Sequence, residues 1–156
     1  MKIEVGQAAP GFILFDSEKK EVRLADQKNK NVLLLFFPLA FTSVCTKELC
    51  EVRDSISLYN NANATVFGIS SDSLYTLAKF KQEQNLNFSL LSDYNKETAT
   101  AYGSLYETFG FGMKGVAKRS AFVIDKEGFI RYAEVLENAG EVPDFVAIRK
   151  VLSELA

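Results

Sequence analysis

The sequence predicts an α/β fold: a mixed central sheet with helices on both faces and an N-terminal β-hairpin. Three observations carry that expectation. Two continuous apolar runs, Val32 to Phe37 and Ala64 to Ser70, lack alternation, as strands covered on both faces do. Each is followed by a segment whose apolar residues recur at helical spacing. Two late β-type runs joined by a short turn then close the pattern. At 156 residues the chain suffices for one domain with a sizeable core, and no repeat, linker or charge block divides residues 1–156.

In chain order, Phe12 to Asp16 and Glu21 to Leu24 flank Ser17-Glu18-Lys19-Lys20 and read as a hairpin. Val32 to Phe37 is the first buried strand. A helix is expected from near Cys45 to about Tyr59, because Leu49, Val52, Ile56 and Tyr59 form one apolar stripe. Thr42 or Ser43 is placed to cap it. Ala64 to Ser70 is the second buried strand, and Leu74, Leu77 and Ala78 mark a helix ending near Asn85. Phe88 to Leu91 reads as a short strand and Glu97 to Tyr102 as a short helix. Ser120 to Ile124 and Phe129 to Val135 are strands joined by Asp125-Lys126-Glu127-Gly128, where Gly128 is free to take a positive φ. Pro143 fits the first turn of a last helix with the face Phe145, Ile148, Leu152 and Leu155. Parallel βαβ units followed by an antiparallel pair give the thioredoxin-like arrangement with an N-terminal extension.

Composition narrows the chemistry. Eighteen basic residues face twenty acidic ones, so no overall field draws this domain to phosphate, and nucleic acid is not an expected partner. The chain has no histidine, which removes Ser-His-Asp and Cys-His catalysis. Two cysteines cannot supply a Cys₄ or Cys₂His₂ zinc site, and no metal is expected. The opening Met1 to Gln7 lacks the apolar core of a signal peptide, and Val32 to Phe41 is too short to span a bilayer. The expected location is therefore cytoplasmic, with no membrane partner. Asn63-Ala64-Thr65 and Asn87-Phe88-Ser89 match the glycosylation pattern, but no secretion signal accompanies them. In a reducing compartment, two cysteines serve redox or catalytic chemistry more readily than a stable structural disulfide.

Cys45 falls just past a buried strand, in the first turn of the expected helix. Free N–H groups and the positive dipole end at such a helix mouth favour an anion there. Cys50 lies five residues on. An ideal helix would hold the two Cα atoms about 8.6 Å apart, beyond the roughly 7 Å a disulfide tolerates. Any bond between them needs the first turns to unwind. Cys45 shares the stripe of Leu49, Val52 and Ile56, whereas Cys50 falls with Arg53, Asp54 and Ser57 on the polar side, near solvent. The plainer alternative is two small buried hydrophobes near one helix.

The pattern Pro38-x-x-x-Thr42-x-x-Cys45 resembles the active site of the peroxiredoxins, thiol peroxidases on a thioredoxin-like fold. A cysteine five positions on, Cys50, resembles the Q-type (bacterioferritin-comigratory) group. The run Phe36 to Thr42 is similar to the alkyl hydroperoxide reductase E group. Val66 to Ser70 with Asp72, Leu91-Ser92-Asp93, and Arg119 to Asp125 also resemble peroxiredoxin segments.

The resemblance implies a peroxidase for hydrogen peroxide and organic hydroperoxides that needs no cofactor. Cys45 would be the peroxidatic thiolate and pass through a sulfenic acid. Cys50 would resolve it as an intramolecular disulfide, and thioredoxin or a similar dithiol reductant would reset the pair. The chain would act as a monomer or homodimer. Thr42, Arg119 and the backbone N–H groups of Val44 and Cys45 would stabilise the breaking O–O bond, Pro38 would shield the thiolate, and Glu48 would orient the arginine. Each has a simpler reading: Thr42 as an N-cap, Pro38 as a strand end, Glu48 as an exposed acid, Arg119 as a surface residue at a strand start. Alternatives for the whole chain are a one-cysteine peroxidase resolved by an external thiol and a non-catalytic thioredoxin-like binding module. A general disulfide oxidoreductase is disfavoured because the sequence has no C-x-x-C.

A lowered thiol pKa alone accelerates little. Moving any thiol from about 8.5 to about 6 raises its thiolate fraction at pH 7 roughly 30-fold and lowers its nucleophilicity roughly 13-fold. The rate must come from groups that act on the O–O bond. Gly110-Phe111-Gly112-Met113-Lys114-Gly115 matches the dinucleotide pattern G-x-G-x-x-G, but no strand is expected before it and a strand, not a helix, after it. It reads better as a loop beside Arg119 whose Phe109, Phe111 and Met113 form an apolar wall favouring organic hydroperoxides.

Overall fold

The computed structural model describes residues 2–156, so Met1 of the opening segment lies outside the described residues. The strands are β1 (Ile13–Asp16), β2 (Glu21–Arg23), β3 (Asn31–Phe36), β4 (Ala64–Ser70), β5 (Ser89–Ser92), β6 (Ser120–Ile124) and β7 (Ile130–Val135). The helices are α1 (Ser43–Asp54), α2 (Ile56–Asn61), α3 (Leu74–Gln84), α4 (Glu97–Ala101) and α5 (Phe145–Leu155). The strands form one seven-stranded sheet in the order β2-β1-β5-β4-β3-β6-β7. β3 to β4 and β4 to β5 are parallel, and the other pairs are antiparallel. The N-terminal hairpin extends the sheet through β1 and β5.

Strand alternation splits the core into two layers. Leu33, Leu35, Val66, Leu90, Ala121 and Val123 face one side, where residues of α1, α2, α3 and α5 cover them. Leu34, Phe36, Phe67, Ile69, Leu91 and Phe122 face the other, beneath Ala99, Tyr102 and the N-terminal Ile3 and Phe12. Every residue of β3 is buried, as its unalternating apolar sequence requires. Among the described residues, no helix is long and apolar enough to cross a membrane.

Most element ends fall within one or two residues of expectation, but two features differ in kind. The helix expected to reach Tyr59 is two helices, broken at Ser55 (φ −112°, ψ 15°), whose N–H is shared between the Glu51 and Val52 carbonyls. Asp and Ser compete locally for backbone hydrogen bonds and make poor helix interior. Ile56 and Tyr59 nevertheless stay packed on the same core layer. Pro143 sits outside the last helix. Asp144 is the N-cap, its Oδ1 accepting the Ala147 N–H at 3.0 Å, and a proline before the cap leaves that bond free to form.

Candidate active site

Strand register assembles the site. β3 and β6 are antiparallel with Phe36 opposite Ser120, so Arg119 stands at the end of the sheet where β3 runs into α1. Cys45 is the third residue of α1. The N–H groups of Ser43, Val44 and Cys45 fall in the turn that a helix cannot satisfy internally, and they present the positive end of its dipole. Glu48 is one turn further on the same face as Cys45.

One guanidinium meets both side chains. Arg119 donates from Nη2 to Cys45 Sγ at 3.2 Å and from Nη1 to Glu48 Oε1 at 2.6 Å. Its Nε and Nη2 also donate to the Ala139 carbonyl, at 3.2 and 3.0 Å. Cys45, Glu48 and Arg119 are all buried, so neither Glu48 nor Arg119 is the exposed charge of the simpler readings. Burial pushes the Glu48 carboxyl up to about 7, with the Arg119 charge and hydrogen bond pulling the other way. Burial by itself would weaken the positive charge on Arg119, but Glu48 and Cys45 outweigh it and hold its pKa above the usual value. Glu48 Oε2 is buried without a hydrogen-bond partner.

The loop before α1 is clamped from the side. Asp72 Oδ2 accepts the Ala40 N–H at 2.8 Å and the Ser70 hydroxyl at 2.7 Å, and the Asp72 carbonyl accepts from Ser92 Oγ at 2.6 Å. Phe41 takes a positive φ of 69°, uncommon for a bulky side chain, and its ring packs 5.1 Å from that of Phe80. Pro38 is buried. Thr42 is exposed and is the N-cap residue, but its hydroxyl makes no cap bond; it donates to the Leu39 carbonyl at 2.7 Å. That bond leaves the oxygen lone pairs of Thr42 available at the helix mouth.

Cys50 is less free than its place on the polar side implied. It is half-buried, partly packed on the core, and its thiol donates to Gln84 Oε1 at 3.5 Å. Both cysteines are free thiols on one continuous helix. The glycine-rich segment forms a 3-10 turn at Gly110–Gly112 between the bridged residues Leu105 and Ala117, so no strand enters it. Phe109 packs on Tyr106, whereas Phe111 is fully exposed and forms no wall in this conformation. Among the described residues, no cluster of three or more Cys, Asp or Glu side chains is placed to hold a metal ion.

Sequence reasoning gave no role to Asp72 and overlooked Ala139 and Gln84. Asp72 was visible only as one residue of a familiar segment. Ala139 acts through its carbonyl, which no side-chain pattern encodes.

The AhpC/TSA family profile matches residues 5–133. The putative peroxiredoxin bcp of Coxiella burnetii is 44% identical over 132 residues, 83% of this chain and 87% of that protein. The alkyl hydroperoxide reductase E of Mycobacterium bovis is 37% identical over 145 residues, 91% of each. The crystal structure of peroxidoxin BcpB from Mycobacterium tuberculosis superposes with a TM-score of 0.83 at 28% identity, covering 98% of this chain and 96% of that one. With its thioredoxin-like sheet and these relatives, the chain belongs to the AhpC/TSA family and is a peroxiredoxin, a thiol peroxidase by class.

Proposed function

We propose that this peroxiredoxin reduces hydrogen peroxide and organic hydroperoxides through Cys45, is resolved by Cys50, and is recycled by a dithiol such as thioredoxin. The observation that carries the reading is the buried Arg119 guanidinium within 3.2 Å of Cys45 Sγ. A cation there stabilises the thiolate and also the negative charge that grows on the departing peroxide oxygen.

The Cys45 thiolate attacks one peroxide oxygen; the O–O bond breaks, and the other oxygen leaves as water or alcohol after taking a proton. Cys45 becomes a sulfenic acid. The Cys50 thiol condenses with it, forming an S–S bond and releasing water. An external dithiol then reduces that disulfide and is itself oxidised. A reducing compartment such as the cytoplasm supplies that dithiol. In this scheme Thr42 Oγ1 accepts a hydrogen bond from the peroxide O–H, the Val44 and Cys45 N–H groups donate to a peroxide oxygen, and Glu48 and Ala139 fix the guanidinium. Pro38 keeps water from the thiolate.

Intact-mass measurement after one equivalent of peroxide tests the scheme. A loss of about two mass units reports the internal disulfide, and a gain of about sixteen a sulfenic acid. Cys45→Ser should show neither and lose turnover. Cys50→Ser should consume one peroxide and then fail to cycle with thioredoxin. Normal cycling by Cys50→Ser would move the protein to a one-cysteine mechanism.

A further inference from the structure

α1 has to loosen before Cys45 and Cys50 can join, so whatever holds α1 down governs that step. The side chains that fasten its second half lie at the far end of α3. Gln84 is the last residue of α3, and Asn85 after it turns left-handed at φ 51°. The Gln84 carbonyl is thus one of the terminal carbonyls that a helix leaves unpaired, at the negative end of its dipole. Arg53, near the C-terminus of α1, donates Nη1 to that carbonyl. The Gln84 side chain accepts the Cys50 thiol at 3.5 Å. Asn87, just beyond α3, donates Nδ2 to the Arg53 carbonyl at 3.2 Å. One residue of α3 therefore holds both the second thiol and the helix that carries it.

We infer that Gln84 and Arg53 form a latch that keeps the Cys50 half of α1 seated on α3 and thereby limits how fast the two cysteines join. The inference rests on the reading of Cys50 as the resolving thiol. The latched helix keeps the Cα atoms about 8.6 Å apart, beyond the roughly 7 Å limit for a disulfide. While the latch holds, the Cys45 sulfenic acid stays exposed to a second peroxide, which would convert it to a sulfinic acid and release water or alcohol. Gln84 and Arg53 are positioning residues: they set the division between disulfide formation and over-oxidation without touching the peroxide.

Single-turnover rapid quench with intact-mass readout tests this on the full chain. Gln84→Ala should raise the sulfenic-to-disulfide rate about threefold and Arg53→Met about tenfold, in keeping with ordinary neutral and charged hydrogen bonds. Both should accumulate less sulfinic acid at a given peroxide excess, with the initial oxidation of Cys45 unchanged. Gln84→Glu keeps an acceptor oxygen and should restore the slow rate. Ser73→Ala removes the N-cap bond of α3 (Thr76 N–H to Ser73 Oγ, 3.1 Å) without touching the latch, and should leave the rate alone. Equal acceleration by Ser73→Ala would overturn the latch in favour of general helix weakening. Wild-type rates in both latch variants would overturn it while leaving Cys50 as the resolving thiol. A wild-type protein that stays at plus sixteen and never loses two mass units would remove the resolving role, and the latch with it.

Discussion

Arg119 Nη2 lies 3.2 Å from Cys45 Sγ, and the two residues are 1% and 0% exposed. A guanidinium is costly to bury unless its donors are used, and here every nitrogen has an acceptor among Cys45, Glu48 and Ala139. A lysine ammonium cannot span that fork. Arg119→Lys should therefore lower kcat/KM for peroxide about 100-fold, the usual effect of losing one aimed donor. Stopped-flow fluorescence of the first oxidation measures it. Arg119→Met should also cost roughly 1–3 kcal/mol in urea unfolding, because the Glu48 carboxyl and the Ala139 carbonyl are left buried without their donor. An Arg119→Lys enzyme as fast as wild type would show that any cation suffices.

Glu48 gives a pH signature in stability. Burial raises its carboxyl from 4.5 to about 7, against the pull of Arg119. Between those values the folded protein holds a proton that the unfolded chain has released. The contribution of this group is thus complete below about 4.5 and is lost as pH rises through about 7. Glu48→Gln, neutral at every pH, should flatten that part of the stability curve. Wild type should lose up to about 3 kcal/mol relative to the variant across the window. Urea midpoints at several pH values read this directly, and parallel curves would mean that Glu48 is already ionised throughout.

The strands and most helices were legible because their signals are local. β4 and β6 match the apolar runs Ala64 to Ser70 and Ser120 to Ile124 at both ends. The Ser55 break was not legible, since the apolar stripe of α1 continues across it into α2. Within the site, Cys45 and Glu48 could be placed on one helix face from spacing alone. The meeting of Arg119 with both depends on β3–β6 register across 74 residues of separation, which no local pattern reveals. Thr42, one of the two cap residues the sequence offers, occupies the N-cap position, but its hydroxyl turns back to Leu39 instead of capping the helix. Gln84 is not legible because helix periodicity places its partner, Cys50, on the solvent side.

That turned-back hydroxyl separates a structural from a catalytic role for Thr42. Because it caps no helix N–H and is exposed, Thr42→Val should change stability by less than about 1 kcal/mol. The valine keeps the branched shape and removes the lone pairs that would accept the peroxide hydrogen. The expected loss in kcat/KM is about 100-fold, with Thr42→Ser retaining most of the activity. Steady-state peroxide consumption coupled to a dithiol reductant measures both. A full-speed Thr42→Val enzyme would remove the hydroxyl from the chemistry.

Asp72 reaches the site only through the chain it holds. Its Oδ2 accepts the N–H of Ala40, which is itself buried, and so fixes the loop between Pro38 and Thr42 against the end of β4. Asp72→Ala would leave that N–H unsatisfied, at a cost of roughly 1–3 kcal/mol. It would also let Pro38 and Thr42 drift from Cys45, and misplacement of about 1 Å can cost 100-fold. We expect kcat/KM to fall about tenfold, since Leu39 and Phe41 still anchor the loop through Thr42 and Phe80. Asp72→Asn keeps an acceptor oxygen toward Ala40 and should recover most of the rate. Reduced stability with unaltered kcat/KM in Asp72→Ala would make the carboxylate a strut for the sheet end and nothing more.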